Sequence, residues 1–217
     1  MNWEEARFNM VEQQIRPWDV LDQEILSLLF EVKREEFVPV SMHNLAFVDM
    51  ELPLPNGCKM WQPKLEARVV QDLAIKPTDK VLEIGSGSGY LTALLAKRAQ
   101  HVYSVEMDAE QTTTAKSNLL KAGLGNVTIE TGDGSRGWTK HAPYDVIVIT
   151  GSMPVLPDEF KQQLAVGGRM FAILGDAPVM SGTLVTRTSS AAYNTTKLFE
   201  TVVAPLNNAL QPERFTF

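Results

Sequence analysis

The chain has 217 residues, 44% of them apolar, and 20 Lys and Arg against 26 Asp and Glu give a net charge of −6. That is the size of one ordinary domain, or one domain with extensions, able to bury a sizeable core, and its acidic balance is the wrong sign for gripping nucleic acid through its phosphates. The single cysteine, Cys58, excludes an intrachain disulfide framework and a Cys-rich zinc site, so no metal is expected.

The opening residues, MNWEEARFN, are acidic and lack the apolar stretch of a secretory signal. No apolar run approaches the ~20 residues that a membrane span needs. A cytoplasmic setting with no membrane partner is expected. Asp22 then suits the N-cap of a helix carrying Ile25, Leu28 and Leu29. LPLPNG (Leu52–Gly57) is a turn-rich loop. Pro63 and Lys64 lead into a helix with Leu65, Val69 and Leu73 on one face. Residues 1–77 read as a helical extension and loop that covers a sheet.

From about residue 78 strand and helix signals alternate. KVLEIG (Lys80–Gly85) has the look of a buried parallel strand, and Leu91, Leu94 and Leu95 follow at helical spacing. HVYSVE (His101–Glu106) is a second strand, and a helix from about Ala109 to Ala122 is closed by Gly123. NVTIE (Asn126–Glu130) and YDVIVIT (Tyr144–Thr150) are the third and fourth strands. Pro157 and Asp158 open a short helix with Phe160 and Leu164 on one face; Gly167-Gly168 stops it, and RMFAIL gives a fifth strand. GTLVTRTS and TTKLFETVVA then read as two strands joined by a polar turn. The whole implies an α/β, Rossmann-like, doubly wound and mostly parallel sheet over residues 78–217, with a C-terminal antiparallel strand pair.

The first strand ends in VLEIGSGSGY (Val81–Tyr90). A dinucleotide fingerprint is G-x-G-x-x-G, whereas Gly85, Gly87 and Gly89 give G-x-G-x-G, with the acid Glu83 inside the preceding strand. No Gly-Lys-Ser/Thr follows, so it is not a phosphate loop. This spacing is similar to that of S-adenosyl-L-methionine-dependent methyltransferases of the Rossmann-like class. Glu106, ending the second strand beside Met107, is placed to accept from both ribose hydroxyls. Asp133, in TGDGSRG after the third strand, is placed to accept from an adenine amino group, with Gly134 beside it. Three such features fall at successive strand ends, where sheets of this kind bind ligands. Ser86 completes the turn, and Thr150 and Gly151 border the same crevice.

An amine or phenol acceptor usually needs a base to take its proton, but His43, His101 and His141 are isolated, and no Ser-His-Asp or Cys-His spacing is visible. A carboxylate acceptor is already ionised at neutral pH and needs none.

Most of the chain resembles the protein-L-isoaspartate (D-aspartate) O-methyltransferase family. The likeness runs through EEFVPVSMHNLAFVDMELPLPNG (Glu35–Gly57), VLEIGSGSGYLTALLA, VYSVE, GDGSRGW (Gly132–Trp138), APYDVIVITGS, LPDEFKQQLAVGGRM and VAPL (Val203–Leu206). The resemblance implies methylation of the abnormal carboxylate of isoaspartyl residues in damaged proteins, with S-adenosyl-L-homocysteine as the product. One loop departs from it. The family's substrate loop resembles G-Q-T-I-S-x-P, with a serine hydroxyl beside cofactor and substrate; here the segment is GCKMWQP, so Gly57, Gln62 and Pro63 align while Lys59 and Trp61 replace the threonine and the serine. Trp61 offers one N–H donor and a large apolar face in exchange. Carried over, Lys59 and Trp61 fall at the catalytic position and Met60, Gln62, Pro63 and Gly151 on the acceptor side. Three readings follow from the departure: a pocket reshaped for a small-molecule acceptor, a moved loop in which Lys59 or the indole N–H orients an isoaspartate, or a cofactor-binding protein without isoaspartyl turnover.

Overall fold

Seven strands form one sheet in the computed structural model, which describes residues 2–213. β1 (Lys80–Ile84) is the third strand from one edge, with β2 (His101–Glu106) and β3 (Val127–Thr131) stepping outward to that edge. On the other side stand β4 (Tyr144–Met153) and β5 (Leu164–Asp176), parallel to the first three. β6 (Val179–Arg187) and β7 (Tyr193–Glu200) continue antiparallel at that edge. The fold is thus the expected doubly wound, mostly parallel sheet with an antiparallel strand pair. The C-terminal residues 214–217 lie outside the described residues.

The apolar strands need cover on both faces because successive side chains point opposite ways. Val81, Val146 and Val148 face one core; Leu82, Ile147 and Ile149 face the other. The first core is the larger. It holds α4 (Tyr90–Arg98) and α5 (Ala109–Lys121), the crossovers from β1 to β2 and from β2 to β3, which contribute Leu94 and Leu119. α6 (Asp158–Gln163) places Phe160 in the second core. The N-terminal helices join the first: α1 (Trp3–Met10), α2 (Gln23–Glu31) and α3 (Pro63–Leu73) supply Met10, Leu29, Leu65 and Val69 to the same cluster as Val81. Asp22 caps α2 by accepting from the Glu24 N–H at 2.8 Å. At the end of α3 the Arg169 guanidinium, from β5, donates to the carbonyls of Leu73 and Ala74, each at 2.6 Å, and to Asp79 at 2.7 Å.

Two local expectations are corrected. α6 ends at Gln163, and Leu164 opens β5 rather than lining the helix. Gly167-Gly168 lies within that strand. Leu164 pairs with Tyr144 and Arg169 with Val146, so residues 165–168 bulge opposite Asp145. A Cβ on Gly168 would stand 2.9 Å from the carbonyls of Ala165 and Asp145, which explains the glycine. Among the described residues no helix is long and apolar enough to cross a membrane, and no group of side chains is arranged to hold a metal ion.

After β7 the chain crosses back to the carboxyl end of β4 as a strap. The Ser152 N–H donates to Ala204 O at 3.0 Å, and the Leu206 N–H donates to Ser152 O at 2.8 Å. Gly151 lets the strap lie this close, since a Cβ there would sit 2.7 Å from the Leu206 backbone. Gly151→Ala therefore lifts the strap and lowers stability by roughly 1–3 kcal/mol, to be read as a fall in the chemical-denaturation midpoint.

Candidate active site

The strand order reverses between β1 and β4, the position at which open α/β sheets bind ligands beyond the carboxyl ends of their strands. A cavity of about 370 Å³ opens there. Its floor is the glycine turn, in which Gly85, Gly87 and Gly89 have φ of +91°, +50° and +86°. Thr150 donates its hydroxyl to Ile84 O at 2.8 Å and Gly85 O at 3.1 Å, and a Cβ on Gly85 would collide with that hydroxyl. Gly87 faces Leu54, which a Cβ would approach to 3.3 Å. Ser86 lines the cavity, and its buried hydroxyl has no hydrogen-bond partner among the described residues.

Two predicted cofactor residues support the turn without reaching the cavity. Gly89 begins α4 against Ala115 of α5, 3.4 Å from where its Cβ would stand. Glu83 is fully buried and accepts from Thr92 Oγ1 at 2.5 Å and Ser104 Oγ at 2.6 Å. Burial pushes its carboxyl up to about 7, against the pull of the two hydroxyls.

One wall comes from the next two strand ends. Glu106 Oε2 accepts the Gly87 N–H at 3.0 Å, and its Oε1 accepts the Asp108 N–H at 3.2 Å, so the acid braces the turn across β1 and β2. Met107 stands half-exposed on the rim. Asp133 accepts from the Ser135 N–H and from the Asn208 amide, both at 2.8 Å. Burial raises its pKa, but these bonds and the Arg136 charge outweigh that and hold it below the usual carboxylate range. Gly134 packs on Ile84, leaving no space for a side chain. The strap closes this side with residues 204–207, which sequence reasoning assigned no place in the site.

The roof is a short hairpin. Leu52–Pro53 pairs antiparallel with Lys59–Met60 around a turn at Pro55–Gly57. Two bonds latch the turn to α5: Asn56 Nδ2 to Asp108 Oδ2 at 2.7 Å, and Gln111 Nε2 to Pro55 O at 3.2 Å. Burial, with Glu106 and Asp108 nearby, pushes the Cys58 thiol up and leaves it a poor nucleophile. Lys59 lines the mouth but is engaged by Glu51 at 2.8 Å, which holds its ammonium above the ordinary lysine value. Trp61 is 6% exposed and packs edge-to-face on Phe171 at 6.3 Å, while still lining the cavity with Met60 and Gly151. Gln62 and Pro63 do not line it. The Gln62 carbonyl accepts from the N–H groups of Leu65 and Glu66, at 3.0 and 3.2 Å, and Pro63 is the first residue of α3.

Beneath Trp61 lie two charged residues that the sequence did not single out. Arg34 has no solvent exposure and donates to Glu66, to Trp61 O at 2.6 Å and to Ala46 O at 2.9 Å. Glu66 is buried and lines the cavity. They are 32 residues apart in the chain, and each alone reads as the polar side of a helix or turn.

These residues suit an adenosyl group: bare main chain at Gly85 and Gly87, a buried unpartnered Ser86 hydroxyl, and acids at the ends of β2 and β3. A mostly parallel sheet carrying this arrangement at its switch point defines a class I methyltransferase. The model of the Protein-L-isoaspartate(D-aspartate) O-methyltransferase (PCMT) family matches residues 5–210, and the chain belongs to that family. A protein-L-isoaspartate O-methyltransferase of Koribacter versatilis (strain Ellin345) is 37% identical over 96% of this chain and 94% of its own. One of Protochlamydia amoebophila (strain UWE25) is 42% identical over 76% and 79%. Among solved structures, a Plasmodium falciparum beta-aspartate methyltransferase in complex with S-adenosyl-L-homocysteine superposes with a TM-score of 0.78, at 17% identity and 95% and 99% coverage. A further protein-L-isoaspartate O-methyltransferase gives 0.77 at 25% identity over 93% of this chain and 65% of the other.

The Glu83 carboxyl binds a proton in the fold that the unfolded chain, with a value near 4.5, has already released, so stability falls as pH rises from about 4.5 through about 7. Glu83→Gln makes that decline shallower. Denaturation midpoints at pH 5, 6, 7 and 8 measure the slope, and an unchanged slope would place the proton on another group.

Proposed function

We propose that this chain methylates the abnormal carboxylate of isoaspartyl residues in damaged proteins or peptides, in the cytoplasm, with S-adenosyl-L-methionine as donor. The observation that carries this reading is membership of the family across residues 5–210 together with a cavity that gathers the glycine turn, Glu106 and Asp133 at one sheet rim. When bound, the donor supplies a methyl group already activated by its sulfonium charge. The protein's own work is binding, orientation and exclusion of water.

In this reading Gly85, Ser86 and Gly87 run along the methionine portion, with the free Ser86 hydroxyl facing it. Glu106 accepts from the ribose hydroxyls, Asp133 and Gly134 meet the adenine edge, and Met107 covers the rim. Thr150 acts from below by holding the turn. Lys59, Met60, Trp61 and Gly151 form the acceptor side. A carboxylate acceptor arrives ionised, so no group need remove a proton from it. Lys59 lies at the mouth, where an incoming carboxylate can share it with Glu51; Trp61 gives the wall behind an apolar face. Water is kept out by the hairpin roof and the strap.

The test is transfer of labelled methyl to matched peptides containing isoaspartate or aspartate. Wild type is expected to label the isoaspartyl peptide alone, and labelling of neither, with the donor bound, overturns the reading. Turnover that appears only in Trp61→Ser would mean that the native loop serves another acceptor. Glu106→Ala is expected to weaken S-adenosyl-L-homocysteine binding by about 10–100-fold, since one oxygen pair serves two charge-assisted hydrogen bonds; calorimetry on the folded variant measures it.

A further inference from the structure

Past Leu206 the strap makes a tight turn. The Ala209 N–H donates to Leu206 O at 3.1 Å, and Asn208 holds the third position of that turn with φ of +58°. Asparagine adopts this left-handed backbone more readily than most side chains, so the residue type suits the turn. Leu206 and Ala209 anchor the turn by packing against the second core. The two asparagines between them tie the strap to the ends of neighbouring strands. Asn207 Nδ2 meets Met107 Sδ at 3.8 Å, and Asn208 Nδ2 donates to Asp133 Oδ2 at 2.8 Å.

Asp133 lines the cavity and Asn208 does not. The Asp133 carboxylate is held from two directions. Its Oδ1 accepts the Ser135 N–H within its own loop, and its Oδ2 accepts the amide of a residue 75 positions away. The first bond is local and leaves the carboxylate plane free to tilt, because the terminal torsion of Asp is broad. The second fixes the plane, and each oxygen keeps a lone pair for a ligand. Arg136 secures the join by donating to Ser135 O at 3.1 Å and to Asn208 O at 3.3 Å, one cation spanning loop and strap.

We infer that Asn208 is a positioning residue for base recognition: by fixing the Asp133 carboxylate it makes the cavity prefer a purine with an exocyclic amino group to one with a carbonyl there. This rests on Asp133 meeting the adenine edge and is independent of the methyl acceptor. Despite burial, its hydrogen bonds and the Arg136 charge hold Asp133 below the usual carboxylate range, so at neutral pH it only accepts. A 6-amino purine offers it an N–H. A 6-oxo purine presents oxygen lone pairs instead and carries its hydrogen on the adjacent ring nitrogen. A fixed carboxylate faces that oxygen and is repelled. A loose one can tilt to the ring N–H and recover a bond. Discrimination therefore depends on the amide that holds the plane.

Calorimetry tests this with S-adenosyl-L-homocysteine and S-inosyl-L-homocysteine, its 6-oxo counterpart, on wild type, Asn208→Gly and Asn208→Asp. Glycine removes the amide and accepts the positive φ; aspartate keeps the shape and carries no donor at neutral pH. Wild type is expected to favour the adenosyl compound by about 100-fold, the scale of one hydrogen bond to a charged group. Each variant is expected to reduce that ratio to about tenfold, chiefly through weaker binding of the adenosyl compound. A role confined to anchoring the strap would weaken both ligands alike. A ratio that stays at the wild-type value in either folded variant therefore overturns the inference, and the two variants guard against one that fails to fold. Wild type binding both compounds equally also overturns it, while methyl transfer to the isoaspartyl peptide, measured separately, still stands. Wild type binding neither compound overturns the inference and the cofactor reading together.

Discussion

The Thr150 hydroxyl, donating to the carbonyls of Ile84 and Gly85, ties the end of β4 to the end of β1, and the shape of the cavity follows from that tie. With the hydroxyl in place there is no room for a Cβ on residue 85, and the backbone leaves the strand with φ of +91°, a conformation that side chains disfavour. The turn then rises between Leu54 of the roof and Ala115 of α5, which Cβ atoms on Gly87 and Gly89 would approach to 3.3 and 3.4 Å. A neighbour forbids a Cβ at Gly85, while Gly87 and Gly89 are called for by their positive φ of +50° and +86°. The glycine spacing by itself reports a tight turn; the acids at the next strand ends and the unpartnered Ser86 hydroxyl make the turn a binding floor.

A second constraint joins the N-terminal residues to this floor. Arg34 is a fully buried cation whose contacts are one carboxylate, two carbonyls and an aromatic ring. Removing any charged partner would leave the other buried and unpaired, which costs several kcal/mol. The knot therefore fixes residues 46, 61 and 66 relative to one another, and with them the height of Trp61 above the turn. The N-terminal part is a structural component of the cavity wall at Trp61 as well as cover for the sheet, and its apolar residues run without a break into the core around Val81.

How much of this was legible depended on whether the cause was local. β1, β2 and β4 could be read because each is an apolar run stopped by glycine or an acid, and the crossover helices because apolar spacing changes period between them. Glu106 and Asp133 were legible as strand-end acids. Glu83 and Gly89 carry the same kind of signal but point into the protein, and no spacing rule distinguishes a carboxyl that faces the crevice from one that faces Thr92 and Ser104. The Gly167-Gly168 pair suggested a helix stop because a bulge opposite Asp145 depends on a strand partner about twenty residues away. The Arg34–Glu66 pair and the strap at residues 203–206 were invisible for the same reason: their meaning arises only when distant segments meet.

The departure in the substrate loop and the buried acid beneath it are physically coupled. A serine at position 61 would bring a small polar group; the indole, buried edge-to-face against Phe171, fills that space with apolar surface. Desolvation is the largest influence on that carboxyl and exceeds the opposing pull of Arg34. Exchanging a hydroxyl for an indole therefore keeps one hydrogen-bond donor in the loop, removes an acceptor and adds a large apolar face. Trp61 and Glu66 are held as one unit, because the same buried guanidinium bonds the backbone carbonyl of the first and the carboxyl of the second.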